Sequence, residues 1–282
     1  KSSQFMIKPS PKAPFSVLMS VYKKEQASFL KASLDSVFAQ TLCADEVVLI
    51  KDGPLTPELD AVISDMQRQH SELRVVAYAE NRGLGHCLND GLQLCKHDIV
   101  ARMDTDDICM PQRFEQQYAF LQSHPDYALV GAWIDEFIDS PNQCRATRKV
   151  PETASEIMRY AKSRCPFNHP TVMYRKQAVL DAEGYLVEYF PEDYFLWIRM
   201  LMNGAKCYNI QHSLLWFRYS PDTVARRGGW RYAKDEVVVQ INIHRLGFTS
   251  LPQMLKNMAI RFTTRIMPMK IRIFIYSLIR KV

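Results

Sequence analysis

The run Asp104-Thr105-Asp106-Asp107 follows directly on an apolar, β-branched segment, Asp98-Ile99-Val100-Ala101-Arg102-Met103. On an extended exit from a strand, residues i and i+2 point to the same side. Asp104 and Asp106 can therefore present two carboxylates to one hard cation, or to a cation and a ribose. Left alone, like charges this close repel. A bound Mn²⁺ or Mg²⁺ relieves the repulsion and keeps coordination sites open for the oxygens of a diphosphate. It would also neutralise the charge that grows on a departing diphosphate, an effect on the order of several kcal/mol. Three letters in a loop are more often a solvated acidic turn, and it is the place at a strand end that favours the site.

Two more strand ends carry carboxylates: Val21-Tyr22 with Glu25, and Lys51-Asp52-Gly53. Asp52 could accept from a base or a ribose, or simply form a turn before Gly53-Pro54. Asn81-Arg82-Gly83-Leu84-Gly85 opens a helix and sets one cation beside backbone N–H groups, a geometry that suits an anion; a plain glycine turn is the alternative. It is neither G-x-G-x-x-G nor a Walker A loop, which removes the main support for dinucleotide enzymes and P-loop ATPases. Glu192-Asp193 stands at the first turn of an otherwise apolar helix, Tyr194 to Met202. One of the pair could cap that helix, or serve as a general base worth about 10²–10⁴-fold in rate. His169, in Asn168-His169-Pro170, could supply a ligand or hydrogen bond, though a lone histidine is more often structural.

The elements needed to bring these ends together are legible as alternation. Strand patterns at 16–21, 46–51, 73–78 and 98–103 alternate with helical patterns at 26–39, 57–70 and 84–95. Four β-α steps imply a parallel sheet with right-handed crossovers and helices on both faces, which binds ligands at the carboxyl ends of its strands. Beyond 110 the pattern is mixed: helices at 111–123, 194–202 and 232–246, and strands at 127–138, 171–174, 206–210 and 215–219. The expected division is an N-terminal extension (1–13), one domain (14–247, with halves 14–110 and 111–247) and a C-terminal segment (248–282).

Of 282 residues 47% are hydrophobic and 11% aromatic, which excludes disorder and fibre. No apolar run approaches the roughly 18 residues that cross a bilayer, and the first residues lack a signal-peptide core, so a cytoplasmic location is expected. Seven cysteines, an odd number without a C-x-x-C pair, read as free thiols. The net charge is +6, yet residues 248–282 carry seven basic side chains and no acidic one, leaving −1 for the rest. In that tail cations interleave with apolar residues at helical spacing, broken at Pro268. Such a segment either lies in the headgroup layer of an anionic inner leaflet or packs on the body with its cations solvated. The body offers no second basic surface, which argues against nucleic acid.

Taken in order, Ser16-Val-Leu-Met-Ser20-Val-Tyr22 with Glu25, Ser36-Val-Phe-Ala-Gln40-Thr41, Glu46 to Gly53, Asn81-Arg82-Gly83-Leu84, Ala101 to Asp107 and Glu192-Asp193-Tyr194 resemble family 2 glycosyltransferases. The match covers about residues 14–220 and is nearest to the bacterial enzymes of O-antigen, capsule and lipooligosaccharide synthesis. The resemblance implies an α/β GT-A fold, mostly parallel in its central sheet, with the basic helical segment appended. It also implies inverting transfer of one sugar from a UDP-sugar, UDP-galactose favoured, with Mn²⁺ or Mg²⁺. By motif, Ser20, Tyr22, Glu25, Asp52, Arg82, Gly83, Arg102, Asp104 and Thr105 would hold the nucleotide-sugar. Asp104 and Asp106 would hold the metal, Asp193 would be the base, and Glu192 and His169 would position the acceptor. The usual Asp-Asp-Gly is Lys51-Asp52-Gly53 here, changing one polar contact to the nucleotide. The stretch 168–175 is similar to the segment before the base in β1,3-galactosyl- and N-acetylglucosaminyltransferases, for which a lipid-linked GlcNAc-diphosphate acceptor is the expectation. Arg226-Arg227-Gly228-Gly229-Trp230 is not the Gln-x-x-Arg-Trp signature of processive synthases. The rival readings are a sugar-phosphate nucleotidyltransferase, which would carry a Gly-rich loop where Tyr22-Lys23-Lys24-Glu25 stands, and a non-catalytic module recruited to membranes.

Overall fold

In the first two strands both faces of the chain are apolar, so each parity of residue must find a core. Val17, Met19, Val21, Val47 and Leu49 point to one side, where helices α1 (Ala27–Phe38), α2 (Pro57–Gln69) and α4 (Arg113–Ser123) cover them. Leu18, Val48 and Ile50 point to the other, against α3 (Leu84–Leu94) and α7 (Glu192–Met202). Gly91 of α3 shows how closely that layer packs: a Cβ there would collide with Leu18 Cδ1. This is a computed structural model, and it describes residues 10–220, 228–268 and 271.

Strands β1 (Lys12–Val21), β2 (Cys43–Lys51), β3 (Leu73–Ala77) and β4 (Ile99–Arg102) are mutually parallel in the order β3-β2-β1-β4. The chain thus winds one way from β1 to β3 and then crosses to the other side of β1. The crevice outside the carboxyl ends of β1 and β4 is the switch point at which such sheets bind ligands. Beyond β4 the sheet is mixed. Strand β8 (Met173–Arg175) runs antiparallel to both β4 and β6 (Tyr127–Phe137), and β9 (Lys206–Arg218) runs parallel to β6. Two short strands complete it, β5 (Ile108–Cys109) against β9 and β7 (Ala146–Arg148) against β6. Because β8 flanks β4, the 168–172 segment lies beside Arg102, whose N–H donates to the Val172 carbonyl at 2.9 Å.

Two helices were not anticipated, α5 (Ala154–Ala161) and α6 (Lys176–Asp181). The first begins in a complete capping box between Thr153 and Glu156, a signal present in the sequence. The strands expected at 206–210 and 215–219 are one, β9, with its pairing to β6 shifted around Ala132, Trp133 and Ile134. All seven cysteines are unbridged.

The last helices, α8 (Trp230–Arg245) and α9 (Leu251–Ile266), pack against each other. Glu236 of α8 is buried and meets Arg261 at 3.2 Å and Arg265 at 2.7 Å from α9. Arg261 also donates to the Ser163 carbonyl, and Asn257 to the Lys162 carbonyl, docking α9 on the end of α5. Two of the seven tail cations are therefore turned inward, because a buried carboxylate is tolerated only when paired. Along the outer side of α9, Leu251, Leu255 and Ile260 remain more than half exposed. No helix among the described residues is long and apolar enough to cross a membrane. Residues 1–9 of the expected extension, the Arg226-Arg227 pair, and the tail after Pro268 apart from Ile271 lie outside the described residues.

Candidate active site

At the end of β4 the chain turns sharply, and one oxygen each from Asp104, Asp106 and Asp107 comes within 4.8 Å of the others. The turn is held from two sides. Ser33 of α1 donates to the Asp104 carbonyl at 2.8 Å, and Arg218 at the end of β9 donates through Nε to the Asp106 carbonyl at 2.9 Å. Burial, reinforced by Asp104 and Glu25, pushes the Asp106 carboxyl up to about 7. Burial, then the charges of Asp106 and Asp104, push Asp107 well above the ordinary carboxylate range, although its Oδ1 accepts the Arg218 backbone N–H at 2.8 Å. Its Oδ2 is buried and has no partner among the described residues. A set of hard oxygen donors whose mutual repulsion holds protons on them fits a divalent cation. Asp107 belongs to this set and was not among the metal ligands expected from the sequence.

On one flank of the acids lie the residues expected to meet the nucleotide. Thr105 Oγ1 donates to Glu25 Oε2 at 2.9 Å and reaches the Ser20 carbonyl at 3.4 Å, tying the ends of β1 and β4 together; Tyr22 is half-buried at the same end. Asp52 is buried, and its carboxylate accepts from the N–H of Arg82 at 2.6 Å, the N–H of Gly83 at 3.0 Å and Asn81 Nδ2 at 2.8 Å. The N–H groups expected to face a free anion thus hold a carboxylate of the protein itself. Gly53 makes this possible: its φ is +83°, and a Cβ there would sit 2.7 Å from Asn81 N. The Arg82 side chain turns to Asp90 at 2.6 Å and lies over the Tyr78 ring.

The opposite flank is built by the 168–172 segment and the start of α7. Arg102, fully buried, pairs with Asp104 at 2.5 Å, while its Nε and Nη1 find no partner among the described residues. Its charge is felt by His169, Glu192 and Tyr185, so it stands between the acid cluster and this flank. Burial, with Arg102 adding to it, holds the His169 imidazole well below its usual range and therefore neutral. His169 Nδ1 is 4.0 Å from Asp193 Oδ2, and the other oxygen of Asp193 accepts the Tyr194 N–H at 2.7 Å. Burial and the charge of Asp193 raise the Glu192 carboxyl.

The Glycosyl transferase family 2 model matches residues 16–184, which takes in the switch point, all three aspartates and His169. The chain belongs to glycosyl transferase family 2. An uncharacterised glycosyltransferase of Haemophilus influenzae is 44% identical over 90% of this chain and 94% of its own length. The UDP-Gal:α-D-GlcNAc-diphosphoundecaprenol β-1,3-galactosyltransferase of Escherichia coli is 39% identical over 93% of this chain and 95% of its own. Among solved structures, Staphylococcus aureus TarS in complex with UDP-GlcNAc superposes with a TM-score of 0.60 at 16% identity, over 81% of this chain and 66% of that one, and so shares its fold. The protein is thus a glycosyltransferase with the α/β fold expected of it. Within this family-2 transferase, Asp107, Arg218 and Tyr185 are the site-lining residues that motif spacing did not single out.

Proposed function

We propose that this glycosyltransferase moves galactose from UDP-galactose, with inversion, onto a lipid-linked GlcNAc-diphosphate. The observation that carries the reading is the arrangement across Arg102: three carboxylates suited to a cation and diphosphate on one side, a helix-start carboxylate on the other. Inversion needs that separation, since the acceptor oxygen must attack the anomeric carbon from the face opposite the departing UDP. Asp193 would accept the hydroxyl proton as the new bond forms, and Glu192 and His169 would orient the acceptor. Ser20, Tyr22, Glu25 and Thr105 would bound the uridine and ribose, with Asp52 shaping the Arg82-Gly83 loop beside them. Asp104, Asp106 and Asp107 would hold Mn²⁺ or Mg²⁺, which when bound supplies charge neutralisation at the diphosphate. The Escherichia coli relative's printed activity, at 39% identity across nearly the whole of both chains, supports this choice of donor and acceptor.

The test is UDP release from a panel of UDP-sugars with Mn²⁺, with and without a GlcNAc-diphosphate-lipid analogue. Release is expected to require acceptor, to favour UDP-galactose and to stop on chelation. Release that is indifferent to the acceptor or to the chelator would overturn the reading.

A lipid-linked acceptor also gives a use to the outer side of α9. Leu251, Leu255, Ile260 and Ile266 are exposed there, and Lys162 and Lys256 line an open cavity of about 700 Å³ beside its first turn. We propose that this side rests in the headgroup layer of an anionic inner leaflet. The protein should float with phosphatidylglycerol-containing vesicles at low salt, and Leu251→Asp with Leu255→Asp should leave it in the pellet fraction. Equal flotation of wild type and variant would remove α9 from the contact.

A further inference from the structure

Away from the metal-suited acids, a connected run of side chains leads from α3 to the start of α7. Asn89 clasps the backbone of Tyr185 twice, accepting its N–H and donating to its carbonyl, both at 2.7 Å. Gly184 allows this approach: its φ is +64°, and a Cβ there would stand 2.5 Å from Asn89 Oδ1. The Tyr185 ring is buried edge-on to Trp197, and its hydroxyl lies 3.0 Å from His169 Nε2. On the far side of the imidazole, Nδ1 faces Asp193 Oδ2 at 4.0 Å.

The direction of the protons in this chain follows from its end. An ionised carboxylate only accepts, so the nitrogen facing it must carry the imidazole's N–H. A neutral imidazole has one N–H, so Nε2 must then accept, and the group beside it must donate. Tyr185 can do so, because burial keeps its phenol protonated. The buried Tyr174 hydroxyl interacts with that of Tyr185, and with the Tyr185 proton directed at His169 it would donate to the Tyr185 oxygen.

We propose that Tyr185 is a positioning residue for transfer: by donating to His169 Nε2 it holds the imidazole with its proton on Nδ1, directed at the Asp193 carboxylate. This rests on reading Asp193 as the base. The Nδ1–H dipole and the Tyr194 N–H then steady the two oxygens of one carboxylate from different sides. The 4.0 Å separation suits a small closure on acceptor binding that brings Nδ1–H onto the carboxylate. The opposite tautomer would turn a lone pair toward a negative charge and disfavour the ionised base.

The tautomer is directly measurable. In full-length protein labelled with ¹⁵N-histidine, a long-range ¹H–¹⁵N correlation is expected to show the His169 signal, assigned by its loss in His169→Gln, in the Nδ1–H pattern. Tyr185→Phe keeps the ring and should shift that signal toward the Nε2–H pattern. The same variant is expected to lower kcat roughly tenfold with donor KM unchanged. An Nε2–H pattern in the wild type would overturn the proposal whatever the variant does, as would a Tyr185→Phe spectrum and kcat like the wild type's. The rate of Asp193→Asn is read separately, so failure of the base assignment is distinguishable from failure of the histidine geometry.

Discussion

Asp106→Asn is expected to raise the melting temperature of the metal-free protein by about 5 °C at pH 8 while abolishing metal-dependent binding of UDP. Burial, then Asp104 and Glu25, lift the Asp106 carboxyl to about 7, far above its value in an unfolded chain. Between those two values the native state holds a proton that the unfolded state has lost, so stability falls as pH rises from about 4 toward 7. Above that range the native protein carries a buried charge among like charges, a penalty of up to about 4 kcal/mol. Asparagine removes the charge and keeps the shape. The gain should therefore be seen at pH 8 and vanish near pH 4. The same proton must leave when a cation binds, so Mn²⁺ affinity should climb from pH 6 to pH 8, with release of a proton at the lower end of that range. Asp106 is a better probe than Asp107, whose Oδ1 also anchors the end of β9 through Arg218. Melting curves at pH 5 and pH 8, with and without Mn²⁺, and calorimetric titration of UDP check this. Wild-type UDP affinity with Mn²⁺ in the variant would take Asp106 out of the site.

The parallel half of the fold and the place of the aspartates were legible because they depend on local period. Strands of four to six apolar residues and intervening amphipathic helices set the order β1 to β4, and the acids fall on the last strand's exit. Asp107 was missed because counting alternate residues on an extended chain assigns it to the wrong side. The tight turn after Arg102 brings consecutive aspartates together, and its anchor, Arg218, lies more than a hundred residues away. Asp52 shows the same limit. Its carboxylate looks outward-facing in the sequence, whereas the left-handed turn at Gly53 brings the 81–83 loop over it. In β9, Gln211-His212-Ser213 breaks the apolar pattern and suggests two strands; shifts in pairing absorb the polar residues within one. Glu236 reads as an ordinary helix residue until α9 supplies two arginines to bury it. In each case the missing information is a contact between segments far apart in the chain.

Asp193→Asn should lower kcat by about 10²–10⁴-fold and leave the affinity for UDP-sugar unchanged, since asparagine keeps the oxygen that accepts the Tyr194 N–H but cannot take a proton. The assignment to Asp193 over its neighbour rests on how their surroundings divide them. Asp193 stands at the first turn of α7, where the helix dipole favours negative charge, with His169 facing its second oxygen. Glu192 is raised by burial and further by the charge of Asp193 beside it, which favours its protonated form. We propose that the two adjacent carboxyls take different roles, Asp193 as base and Glu192 in hydrogen bonding the acceptor sugar. Glu192→Gln should accordingly raise the acceptor KM with a smaller loss in kcat, because an amide can still donate. Single-turnover rates with saturating UDP-galactose separate the two effects. If Asp193→Asn turns over near the wild-type rate while Glu192→Gln is inactive, the proton passes to Glu192 and the desolvation that raises its carboxyl becomes the means of tuning it.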